Sequence, residues 1–125
     1  MSQNLNPPDV PTEKVEIETV RLATFLESFT ECPRGDLMKL DVETHEPEVL
    51  EGMGAYLGRL RPTMFIEILN AEVAQRVENL VRGMDYLYFN LDDIGKPKRQ
   101  DRLTKSDHFI FLLCGEAVAR DLHLI

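Results

Sequence analysis

Apolar and polar positions along this chain alternate between two spacings, and the switches between them mark out the elements. Val15 to Val20 reads Val-Glu-Ile-Glu-Thr-Val, an alternation that predicts a strand with one wet face. Leu22, Phe25, Leu26 and Phe29 then fall at i, i+3, i+4 and i+7, the stripe of a short amphipathic helix, which Cys32-Pro33-Arg34-Gly35 breaks. Asp36 to Val42 is a mostly apolar strand. From Glu46 a helical stripe runs through Val49, Leu50, Met53, Tyr56, Leu57 and Leu60, with Pro47 in the first turn and Arg61-Pro62 at the end. Thr63 to Leu69 is nearly all apolar, as in a strand buried on both faces of a parallel sheet. Val73, Ala74, Val77, Leu80 and Val81 predict another helix, with Gly83 as its stop. Met84 to Leu91 reads as a strand, Asp92 to Asp107 as a long polar loop around Gly95 and Pro97, and Phe109 to Leu113 as the last strand.

Strands alternating with helices predict an α/β domain with a mostly parallel, doubly wound sheet. The helix-free route into the last strand predicts that this strand runs antiparallel to its predecessor. Residues 1–12 are polar and proline-bearing and read as a flexible leader, leaving 13–125 as the folded part.

Composition changes this picture in three ways. The formal net charge is -8, and the basic residues are scattered apart from Lys96-Pro97-Lys98-Arg99, so a nucleic-acid partner is not expected. Cys32 and Cys114 are far apart and form no metal or disulfide framework; Cys114 ends an apolar run and reads as a small buried hydrophobe. The start of the chain is not a signal peptide, and no apolar run is long enough for a membrane span. The expectation is a cytoplasmic protein with no membrane partner.

The candidate chemistry is acidic. A carboxylate at the end of an apolar strand is costly unless something uses or pairs it. In open parallel sheets ligands bind beyond the carboxyl ends of the strands, and a right-handed crossover brings neighbouring ends to one edge. Asp41, Glu43 and Glu67 should therefore face one crevice, with Asp41 and Glu67 on strands about 4.8 Å apart. Asp41 and Glu43 share a side if the extended backbone continues. His45 and Glu46 follow at the turn into the helix; Glu46 reads as a first-turn acid, and Glu48 and Glu51 as solvated. Lys39 reads as a partner for a nearby acid. His108 and His123 have no supporting constellation in sequence. Gly52, Gly54 and Gly58 lie inside a helical stripe, do not form a phosphate loop, and read as packing residues.

At these residues the chain resembles the FkbM family of S-adenosylmethionine-dependent methyltransferases. The family stretch reads Asp-Leu-Ile-Lys-Ile-Asp-Val-Glu-Gly-Ala-Glu, a few residues, then Val-Leu-x-Gly. Here it is Asp36-Leu37-Met38-Lys39-Leu40-Asp41-Val42-Glu43-Thr44-His45-Glu46, then Val49-Leu50-Glu51-Gly52. The family's Arg-Pro and its strand ending in Glu-Ile correspond to Arg61-Pro62 and to Phe65-Ile66-Glu67-Ile68. Thr44-His45 stands where the family has Gly-Ala, so a turn built for glycine is expected to shift here, and Glu43 with it.

The resemblance implies a Rossmann-like class I methyltransferase sheet and S-adenosylmethionine as cofactor. It implies methyl transfer to an oxygen of a small-molecule or sugar acceptor, with Asp41 nearest the donor. Glu43 and Glu67 would orient the acceptor or act as base, with His45 as an outlying candidate. The family's upstream glycine-rich turn and ribose-binding acid have no counterpart in this sequence. The chain thus reads as a C-terminal half, expected to be truncated, or to pair its bare strand edge with a second copy or with a complementing N-terminal half. Two other readings stay open: a non-catalytic interaction module, and a hydrolase or transferase using Asp41, Glu43 and Glu67 to bind Mg²⁺.

Overall fold

The computed structural model describes residues 10–28, 36–94 and 96–125. The leader up to residue 9, Phe29, the break at Cys32-Pro33-Arg34-Gly35 and Gly95 lie outside the described residues.

The elements in chain order are α1 (Leu22–Glu27), β1 (Leu37–Leu40), α2 (Glu46–Gly52), α3 (Ala55–Leu60), β2 (Thr63–Glu67) and α4 (Ala71–Leu80). They continue with β3 (Leu87–Leu91), β4 (Pro97–Gln100), β5 (Ile110–Cys114) and α5 (Glu116–Asp121). The five strands form one sheet in the order β1-β2-β5-β3-β4. The expectation of a mostly parallel sheet is corrected here: among the described residues β1·β2 is the one parallel pair, and β2·β5, β5·β3 and β3·β4 are antiparallel.

The reason is positional. The helical crossover through α2 and α3 does return the chain to a parallel neighbour. The crossover through α4 also delivers β3 in the same direction as β2, but one place further out. β5 fills the gap and runs against both, as its helix-free approach predicted.

Three further expectations are corrected. Val15 to Val20 forms no strand; among the described residues it has no partner in the sheet, and Val15, Ile17 and Val20 are exposed. Without a ladder to satisfy its backbone groups, alternation alone does not make a strand. Within the long polar loop lies β4, which pairs with β3 from Tyr88↔Gln100 to Leu91↔Pro97. It was hidden because an edge strand can be charged throughout and can open on proline, both of which discourage further pairing. The single helix expected over 46–60 is two helices, because Gly54 adopts φ 56°, ψ -134° and ends the helical run.

The core lies mainly on the sheet face covered by α2, α3 and α4. Met64 and Ile66 of β2, with Ile68 just past its end, point there, and they meet Leu50, Met53, Leu57, Val73 and Val77. The opposite face is more thinly covered, with Phe89, Leu112 and Cys114 packed against Ala119 of α5. Cys114 is fully buried, as its apolar run predicted. Phe65 is only partly buried, so β2 is not sealed on both faces. By the two-residue period of a strand, Glu67 shares that thinner face with Phe65.

Candidate functional site

The register of β1 on β2 builds the site. Leu40 pairs with Ile66, so the next step along each strand sets Asp41 beside Glu67. The extended backbone does not continue to Glu43, as the sequence reading supposed. The chain turns at once, with Glu43 at φ 50° and Thr44 at φ 72°. Both lie in the left-handed region, which is unfavourable for a β-branched residue such as Thr44. The turn still delivers Glu43 to the cluster: carboxylate oxygens of Asp41, Glu43 and Glu67 all lie within 4.8 Å of one another. Asp41 and Glu43 are exposed and Glu67 is half-buried.

Glu46 is the residue that sequence reasoning undervalued. It is the first residue of α2 and is completely buried. Its Oε2 accepts the Val42 N–H at 2.9 Å, so its carboxylate lies against the turn between Asp41 and Glu43. Its Oε1 has no hydrogen-bond partner. Spacing alone could not separate this acid from Glu48 and Glu51. Those two are not merely solvated, since Arg76 of α4 donates to Glu48 Oε1 at 2.7 Å and to Glu51 Oε1 at 3.1 Å.

Glu67 feels all three neighbours. Burial comes first in holding its carboxyl above the ordinary carboxylate range; the charge of Asp41, a hydrogen bond shared with it, and the charges of Glu43 and Glu46 push the same way. Glu67 Oε1 is itself buried without a partner. Among the described residues no lysine or arginine pairs with any of the four acids, and Lys39, exposed on β1, forms no ion pair.

His45 is not part of this group. It precedes α2, its Nδ1 lies 3.1 Å from the Glu43 carbonyl oxygen, and its ring lines a separate groove with Val20, Arg21, Leu22 and Phe25. His108 does approach the acidic edge. A cleft of about 440 Å³ brings it together with Glu67, Asp92, Asp93 and Asp107. Its Nδ1 is 3.5 Å from Asp93 Oδ1, and its backbone N–H donates to Ser106 Oγ, which in turn donates to Asn90 Oδ1. A signal for this existed: once the last strand is antiparallel, the residue that enters it must lie at the edge where β1 and β2 end. His123 lies past α5, away from this edge in the chain and outside the cleft.

Taken chemically, the edge concentrates negative charge and unsatisfied oxygens around a partly open crevice. It suits a ligand that brings positive charge or hydroxyl donors. No helix among the described residues is long and apolar enough to cross a membrane. A family model described as the methyltransferase FkbM domain matches residues 2–88. No curated protein and no solved structure matches the chain.

Proposed function

We propose, because the chain belongs to the FkbM methyltransferase family, that its acidic strand edge serves methyl transfer from S-adenosylmethionine to an oxygen of a small molecule or sugar. The observation that carries this reading is the convergence of Asp41, Glu43 and Glu67 at the ends of β1 and β2. The donor set fits the cofactor's cationic end: S-adenosylmethionine carries positive charge at sulfur and at its amino group, and this edge offers carboxylate oxygens that no basic side chain of the described residues occupies. When bound, the cofactor supplies an activated methyl group.

The chain's own residues then divide the work. Asp41, exposed at the end of β1, faces the donor. Glu43 and Glu67 orient the acceptor hydroxyl, so that the reacting atoms meet in line. Glu67, holding its proton more tightly than an ordinary carboxylate, is the better matched of the two to accept the hydroxyl proton. His45 acts at one remove, as a positioning residue against the Glu43 carbonyl. The cleft between Glu67 and His108 is the place for the acceptor.

Titration calorimetry of S-adenosylmethionine into the 125-residue chain tests this directly. Saturable binding is expected, and a folded chain that takes up no cofactor would remove the enzyme reading for this chain by itself. Where transfer is measurable, Asp41→Asn is expected to lower its rate by about 10²-fold or more.

A second reading, an interaction module without catalysis, is favoured by one observation. β1 is the outermost strand on its side of the sheet among the described residues, with Leu37 exposed. Such an edge accepts a strand from a second copy or a complementing chain.

A further inference from the structure

We propose that Asp41, Glu43 and Glu67 together bind one hard divalent cation of the Mg²⁺, Mn²⁺ or Ca²⁺ type. These ions take oxygen ligands, carboxylates above all, and keep water or substrate oxygens in their remaining positions. Ligand atoms on opposite sides of such an ion stand roughly 4.0–5.2 Å apart, twice the metal–oxygen distance. Each of the three carboxylates brings an oxygen to within 4.8 Å of the other two, close enough for all three to reach one ion.

A cluster of acids is common on protein surfaces, and the second observation is Glu46. This carboxylate is completely buried, it is anchored on the Val42 N–H between Asp41 and Glu43, and its Oε1 has no partner. Its charge reaches Glu67, whose own buried Oε1 is also unpartnered. A buried carboxyl oxygen without a partner, beside three further acids, is unfavourable unless a positive charge compensates it. Among the described residues no basic side chain does so. A divalent ion placed among the three outer carboxylates supplies that charge, with Glu46 behind them as the group that holds the turn in shape. Because Asp41 and Glu43 are exposed, the ion keeps open positions toward solvent. The ion would take up the carboxylates that the methyl-transfer reading gives to the cofactor's cationic end, so its binding goes beyond that reading and does not rest on it.

Calorimetry with Mn²⁺, on the 125-residue chain freed of chelator, reads the proposal. One saturable ion per chain is expected. Glu67→Gln and Glu43→Gln should each weaken it by at least the roughly tenfold that loss of even an outer partner of a metal site costs. Glu43 is exposed, so its variant tests the site even if Glu67→Gln fails to fold. Glu116→Gln, on the exposed Arg120 pair of α5, should bind Mn²⁺ like the parent. Mn²⁺ should also raise the melting temperature of the parent by more than that of Glu43→Gln at the same concentration. No saturable Mn²⁺ binding, or equal affinity in parent and Glu43→Gln, would overturn the proposal and leave the hydrogen bond between Asp41 and Glu67 as what relieves the cluster. Cofactor titration is a separate measurement, so a failure of methyl transfer and a failure of cation binding are told apart.

Discussion

Thr44 stands where backbone geometry asks for glycine. At φ 72° its branched side chain crowds the backbone, a conformation that costs a non-glycine residue about 1–2 kcal/mol. It is tolerated because Glu46 grips the Val42 N–H and the His45 N–H donates to the Val42 carbonyl, closing the turn on both sides. Thr44→Gly is therefore expected to stabilise the chain by about 1 kcal/mol, after glycine's own entropic cost, read as a higher urea midpoint at unchanged slope. Tyr86 is a second residue whose surroundings decide its chemistry. Its hydroxyl donates to the Pro62 carbonyl at 2.6 Å, and burial outweighs the opposing charge of Arg61 to raise its pKa well above the ordinary 10.0. Tyr86→Phe should cost about 1 kcal/mol. A raised folded pKa contributes stability that is full below the unfolded value and is lost as pH climbs beyond it. The parent should thus lose stability above about pH 10, and in Tyr86→Phe that alkaline decline should be shallower in pH-dependent denaturation.

Among the elements, α4 is the best specified from both ends. Asn70 Oδ1 accepts the Val73 N–H at 2.8 Å, and Gly83 at φ 80° follows the last turn. Asn70→Ala removes that cap and should lower stability by about 1 kcal/mol, measurable as a drop in the thermal midpoint. α4 and α2 are tied by Arg76 to Glu48 and Glu51, so the helix that Asn70 starts also steadies the helix that carries Glu46. β3 shows the converse. The apolar run suggested a strand from Met84, yet the ladder begins at Leu87, opposite Cys114. Beyond that pair β5 has ended and α5 is about to begin, so Met84 to Tyr86 have no strand to join.

For the whole molecule, the sheet gathers acids from distant parts of the chain onto one edge. Strand ends at Asp41 and Glu67, the turn after β3 with Asp92 and Asp93, and the entry to β5 with Asp107 and His108 all arrive there. That follows from direction alone: β1, β2 and β3 leave the sheet where β5 enters it. The other whole-molecule feature is the side of β1 that no strand of the described residues covers. If that edge pairs between copies, sedimentation should show concentration-dependent association, and Leu37→Lys should weaken it by placing a charge on the edge. Sedimentation as a monomer at every concentration would speak against self-pairing.

Several features were already legible in the sequence alone. The acidic strand ends, the parallel β1·β2 unit with its helical crossover, the glycine stop of α4, the burial of Cys114 and the antiparallel last strand all follow from local pattern. They are set by residues close in the chain, whose spacing and turn chemistry act before any distant contact forms. The family likeness rests on the same local stretch. Other features depended on partners far away in sequence. Val15 to Val20 failed as a strand for want of a neighbour, while Pro97 to Gln100 became one because β3 offered a ladder. β5 entered between β2 and β3 and made the sheet mostly antiparallel. Glu46 became a buried, half-satisfied acid while Glu48, two residues on, met Arg76. At these residues pairing, burial and charge environment come from what the tertiary structure brings alongside, and their local spacing does not encode it.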